Sequence, residues 1–338
     1  MILHSFNLKN RTALLFASCI VLFFSTAYGQ TVAAKTSVAP IDPTLIDLTQ
    51  PTLFLVPYTH LDDVWRWSYP QVIRDFLKLT LDDNFAAFEK YPYYVFNWSG
   101  ASRYQMIQEY YPEKYEELKK WVAAGRWYPS GSSWVENDVN VPSTESNIRQ
   151  LLMGTQYFEK EFGKESREFM LPDCFGFPYS LPSVLSHCGI RGFSTQKLTW
   201  ESANGIPFNV GRWTGPDGKW VIAALNAGDY AKPHKTVYST DKATLDRLEK
   251  NKQLSGLPVD YFYMGGGDQN NADRGGVVQE ISLETLKSSL QTKGPVRVIA
   301  GKADLMFNAI TNEQARKLPT WNSELQLIKH STGVLSSQ

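Results

Sequence analysis

Cysteine is nearly missing from this chain, with three residues in 338, one of which, Cys19, lies within an N-terminal apolar run. The remaining Cys174 and Cys188 could pair in an oxidising compartment, but two thiols make no disulfide framework, and both are expected to be buried and unpaired. Net charge is missing too, since 34 basic residues balance 34 acidic ones and no basic cluster appears. Neither a nucleic-acid surface nor a patch for acidic membranes is indicated, so a neutral partner is expected. The run Thr12–Phe24 is too short to span a bilayer comfortably, which argues against a stable membrane anchor. Gly265-Gly266-Gly267 has neither the G-K-[ST] ending nor the GxGxxG spacing of a phosphate cradle. No internal repeat or low-complexity tract interrupts the chain.

What is present is ample material for a core, with a hydrophobic fraction of 43% in a length that suits one large domain or two ordinary ones. Ten Trp and seventeen Tyr can fill that core or present flat faces to sugars. Residues 1–29 have the pattern of a signal peptide: Lys9 and Arg11 form a basic start, the apolar run follows, and Ala27-Tyr28-Gly29 offers small residues for cleavage before Gln30. Export to a periplasmic or extracellular location is the expectation. Residues 30–49 read as a flexible lead-in, with the ordered domain starting near Gln50 and running to Gln338. From there strands and helices alternate. Strands are predicted at 52–58, 93–99, 168–171, 192–196, 220–225 and 259–264. Helices are predicted at 113–124, at 143–162 after Pro142, and at 182–187 before Gly189. Such alternation predicts an α/β domain with a largely parallel sheet.

In folds of this kind ligands collect at the carboxyl ends of the strands. His60 and Asp62 follow one apolar strand, and at a spacing of two they project the same way, as an imidazole and a carboxylate suited to zinc. His-x-Asp is equally a common structural hydrogen-bonded pair. Asp173 follows another strand in Pro172-Asp173-Cys174-Phe175-Gly176, where a turn-forming role is the plain alternative. Asp268 follows the third, and the glycines before it form either a turn or a close approach that frees its carboxyl group for proton transfer. Asp173 and Asp268 together supply the two carboxylates of glycoside hydrolysis. Trp65 and Trp67 are core rings or, for Trp65, the floor of a sugar pocket. Trp134, with Glu136, Asn137 and Asp138, reads as a polar loop or a substrate rim.

Taken together these segments resemble the catalytic domain of glycoside hydrolase family 38, the zinc-dependent retaining α-mannosidases. The resembling stretches are VPYTHLDDVW at 56–65, GSSWVENDVNVPSTESNIRQLLMG at 131–154, MLPDCFGFPYSLPSVLSHCGIRGFSTQKLTW at 170–200, MGGGD at 264–268 and ELQLIKHSTGVLSSQ at 324–338. The resemblance implies a seven-stranded, largely parallel β/α barrel and a mannose-containing glycan as substrate. It implies Zn2+ held by His60, Asp62 and Asp173, with Asp173 also the nucleophile, Asp268 the acid/base, and Trp65 against the sugar, while Trp134 keeps its place as a candidate of the substrate rim. The family's fourth zinc ligand is a histidine beyond the last matched segment, and His330 is not that residue. A three-ligand site of weaker zinc affinity, with reduced or no activity, is therefore expected, as is the absence of the helical and β-rich domains that follow in the family. Tyr58 stands where many members have a histidine. A metal-dependent carbohydrate deacetylase, or an inactive mannose-binding remnant, are the alternatives. The motifs are silent on oligomeric state.

Overall fold

A computed structural model of the chain describes residues 38–267, 276 and 278–327. Its organising element is β1, Thr52–His60, whose nine residues TLFLVPYTH are all buried. A strand buried on both faces needs neighbours on both edges, and β1 has them. Along one edge it pairs in parallel with β9, Val259–Gly267, from Thr52 opposite Val259 to His60 opposite Gly267. The other edge is shared, its first half taken by β10, Arg297–Ala300, and Tyr58 by Asn97 of β2, Phe96–Ser99. β3, Trp127–Ser130, pairs with β2 and completes a five-stranded parallel sheet.

A second five-stranded sheet is built from β4 (Glu168–Met170), β6 (Gly192–Ser194), β7 (Val210–Thr214), β8 (Trp220–Ala224) and β11 (Thr320–Trp321). Its order is β11-β7-β8-β6-β4, parallel except for the β7–β8 pair. β5, Gly176–Phe177, pairs antiparallel with β12, Leu325–Gln326. The expected mixed α/β architecture with parallel sheet is what forms, but the closed seven-stranded barrel is not. Among the described residues no sheet closes on itself. The reason lies at the seams, where isolated bonds replace a ladder. Between β3 and β4 the Gly131 N–H donates to the Glu168 side chain at 2.8 Å and Ser132 Oγ to the Ser166 carbonyl at 2.6 Å. On the far side Tyr263 N–H donates to the Ala227 carbonyl at 2.7 Å and Tyr263 Oη to Ser194 Oγ at 2.7 Å.

Helices flank the strands and start and stop where their caps dictate. The longest described, Thr144–Phe162, begins at Ser143, whose hydroxyl accepts from Ser146 N–H, and ends at Gly163 in the left-handed region at φ 58°. Pro112–Ala123 starts with proline in its first turn, and Leu181–His187 is followed by Gly189 at φ 78°. None of the described helices is long and apolar enough to cross a membrane. One apolar cluster gathers between the sheets, joining β1, β2, β3 and β9 to Met170, Val210, Ile222 and Ala224 of the other sheet, and a second lies around Phe169, Phe193, Trp213 and Val221. Both remaining cysteines are free, as expected, but neither is buried: Cys174 is half-buried, and Cys188, which caps the short helix at the surface, is exposed.

Candidate functional site

The carboxyl end of β1 faces the carboxyl end of β4, and three side chains meet there. One ligand-type atom from each of His60, Asp62 and Asp173 lies within 4.8 Å of the others. His60 is the last residue of β1, and Asp62 follows as the chain leaves the strand, so the spacing of two does project both the same way. His60 Nε2 stands 3.2 Å from Asp62 Oδ1 and 3.9 Å from Asp173 Oδ2. Asp173 arrives from the other sheet, three residues after β4.

The side chains around this trio were not singled out by motif. Asp173 Oδ1 accepts from Tyr230 Oη at 2.6 Å and from Lys197 Nζ, a lysine only 2% exposed whose ammonium also lies 3.6 Å from the Trp200 ring centre. That leaves Asp173 Oδ2 turned towards His60. On the opposite side of the imidazole, Nδ1 is 2.9 Å from Tyr58 Oη and 3.0 Å from Glu136 Oε2. Glu136 is thus not on a substrate rim but beneath His60, its side chain 4% exposed. Arg103, equally buried, ties the turn after β1 together by donating to the Asp63 carboxylate at 3.0 Å and to the Leu61 and Ser99 carbonyls.

Charge in this cluster favours a cation. Burial alone would push the His60 pKa down, yet Glu136 and Asp62 outweigh it and hold the imidazole well above its ordinary value. Burial likewise works to raise Asp62 and Glu136, and His60 reverses it, so both carboxyls sit below their usual values. An imidazole nitrogen facing two carboxylates is a donor set for a borderline divalent ion such as zinc. Glu136 Oε2, on the far side of the ring, is buried without an aligned hydrogen bond. The residues present therefore fit a metal ion.

The other predicted residues are placed as follows. Trp65 is 44% exposed, stands edge-on to Trp67 at 5.5 Å and carries the Arg66 guanidinium over its ring at 4.3 Å. Trp67 fixes this turn through its indole N–H to the Asp62 carbonyl at 2.9 Å. Trp134 is half-buried, and its ring packs against Tyr157 of the long helix, away from the trio's own contacts. The glycines at 265–267 form neither a turn nor a cradle but the end of β9. Asp268 lies outside the described residues. Arg103, Glu136, Lys197 and Tyr230 share one legible signal, since each follows the carboxyl end of a parallel strand or sits on the helix after it. Only their pairing across 24 to 76 positions is hidden from local pattern.

Comparison with known proteins agrees with this geometry. Residues 50–324 match the model of the Glycosyl hydrolases family 38 N-terminal domain. The chain is 33% identical over 295 residues to Alpha-mannosidase G of Dictyostelium discoideum, covering 86% of this chain and 26% of that protein. It is 31% identical over 283 residues to Alpha-mannosidase 2C1 of Homo sapiens, covering 84% and 26%. The crystal structure of an alpha-mannosidase from Enterococcus faecalis V583 shares the fold with a TM-score of 0.64 at 20% identity, over 82% of this chain and 31% of that one. The chain thus spans about a quarter of the length of the curated relatives it matches.

Proposed function

The chain belongs to glycosyl hydrolase family 38, and on that premise we propose that it hydrolyses terminal α-linked mannose from glycans with retention of configuration. The convergence of His60, Asp62 and Asp173 from two sheets carries this reading. Asp173 is the nucleophile. Lys197 and Tyr230 hold its Oδ1, which fixes the carboxylate plane and leaves Oδ2 on the side of the cluster. His60, Asp62 and Asp173 would hold a zinc ion, which would supply Lewis-acid chemistry towards the sugar. Trp65, exposed beside the cluster and braced by Trp67, offers an apolar face to the sugar.

Retention requires a second carboxyl to protonate the departing oxygen and then to draw a proton from water. Asp268 has that role in this reading. What supports it is register: Gly267, the last residue of β9, is the partner of His60 across the β1–β9 ladder, and Asp268 is the next residue in sequence. The test is turnover of an aryl α-mannoside in saturating zinc, with the first-formed anomer read by NMR. Asp173→Asn should lower kcat/KM by on the order of 10³-fold or more, as expected for loss of a nucleophile. Undiminished release by that variant, or inverted product from the unmodified chain, would overturn the assignment.

A further inference from the structure

Glu136 is a buried carboxylate whose two oxygens face different surroundings. Oε1 accepts from Tyr58 Oη at 2.5 Å and from Ser99 Oγ, with the Arg103 guanidinium at 3.9 Å. Oε2 has no aligned partner, and the nearest polar hydrogen position is that of His60 Nδ1, 3.0 Å away. Arg103 favours the ionised Glu136 through its charge but gives no hydrogen bond to this oxygen, since its donors go to Asp63, Ser99 and Leu61. A buried carboxylate oxygen left unsatisfied is costly, so Nδ1 is under pressure to present a proton.

Tyr58 adds the same constraint from the second side. Its single hydroxyl proton goes to Glu136 Oε1, so towards Nδ1, 2.9 Å away, its oxygen can only accept. Nδ1 therefore faces two acceptors and must carry hydrogen. In the neutral ring the lone pair then falls on Nε2, the nitrogen that faces Asp62 and Asp173.

We propose that Glu136 and Tyr58 are positioning residues that fix His60 as its Nδ1–H tautomer and thereby make Nε2 a metal-binding atom. The inference rests on the reading above that this cluster takes a divalent cation. A carboxylate behind a ligating histidine orients the ring and raises its basicity, and its loss typically weakens metal binding by about 10–100-fold. Tyr58 meets Nδ1 directly but as a neutral acceptor, so its loss has a smaller effect than loss of the Glu136 charge.

The experiment strips the full-length chain of metal and titrates Zn2+ against a colorimetric chelator, and Co2+ by its visible absorption bands. Glu136→Gln should weaken Zn2+ binding by about 10–100-fold and shift the Co2+ bands, while Glu136→Asp, which keeps the charge, recovers part of the loss. Tyr58→Phe should weaken binding by a few-fold. A metal-free Glu136→Gln protein that unfolds at the same midpoint as the unmodified chain and binds Zn2+ within twofold of it overturns the proposal. Should Glu136→Gln not fold, Tyr58→Phe decides, and unchanged affinity with an unchanged Co2+ spectrum overturns it. Failure of the unmodified chain to bind either ion instead overturns the metal reading itself, which keeps the two failures apart.

Discussion

A single methyl group at position 265 would stand 1.6 Å from the carbonyl oxygen of Tyr58, far inside van der Waals contact, because β1 and β9 approach most closely there. The obstructing atom is backbone, so no side-chain rotation relieves it. Gly265→Ala must push the two strands apart two pairs before His60, and overpacking of this kind costs roughly 1–3 kcal/mol or more. Chemical denaturation of the metal-free protein should show that loss, and zinc affinity should fall as His60 shifts. An unchanged denaturation midpoint would mean that the ladder tolerates the displacement. Local sequence pattern reads the three glycines as a turn or a close approach to a ligand, since nothing within a few residues reports the strand lying against them. His60, Asp62 and Asp173 were legible because each follows an apolar run directly. Glu136 was visible only as an acidic residue in a polar loop, for its meaning depends on Tyr58 and His60, more than seventy positions away.

At the scale of elements, the predicted strands and capped helices formed close to their expected bounds, whereas closure of the sheet did not follow from them. Alternation of apolar runs specifies that strands exist and run parallel, but it carries no information about which neighbours exchange a full ladder. At the β3–β4 seam the ladder is replaced by Glu168, which is wholly buried and accepts from Gly131 N–H and from Ser166 Oγ at 2.5 Å. Burial, then the nearby Asp304 carboxylate, push the Glu168 pKa up to about 7, against the opposing pull of Lys302, Ser166 and Gly131. A folded-state pKa above the unfolded one means that the native state binds more protons between the two. The stabilisation is thus complete below the unfolded value near 4.5 and is lost as pH rises through 7. The shift corresponds to about 3 kcal/mol at most. Unfolding free energies measured at pH 5 and pH 8 should fall by up to that amount in the unmodified chain, and Glu168→Gln should flatten the difference. An equal slope in both proteins would remove Glu168 as its source.

For the molecule as a whole, the two sheets share one apolar cluster, to which the second contributes Met170, Val210, Ile222 and Ala224, but few hydrogen bonds join them at their seams, and the candidate metal centre sits where they meet. His60 and Asp62 come from the first sheet and Asp173, Lys197 and Tyr230 from the second. A cation shared by His60, Asp62 and Asp173 therefore favours the arrangement in which the sheets are docked. Binding to the folded state alone stabilises it by about 2.7 kcal/mol at a free metal concentration of 100 Kd. For a domain of this size that is several degrees in Tm. Zinc should accordingly raise the melting temperature in a concentration-dependent way, a chelator should reverse it, and His60→Ala should abolish the response. Amide hydrogen exchange provides the sharper reading. If the cation joins the sheets, protection on zinc binding should rise at Gly131 and Tyr263, whose N–H groups bridge the two seams, and not only in the turn after β1. Protection confined to residues next to His60 would show a cation bound to one sheet, without a part in holding the two together.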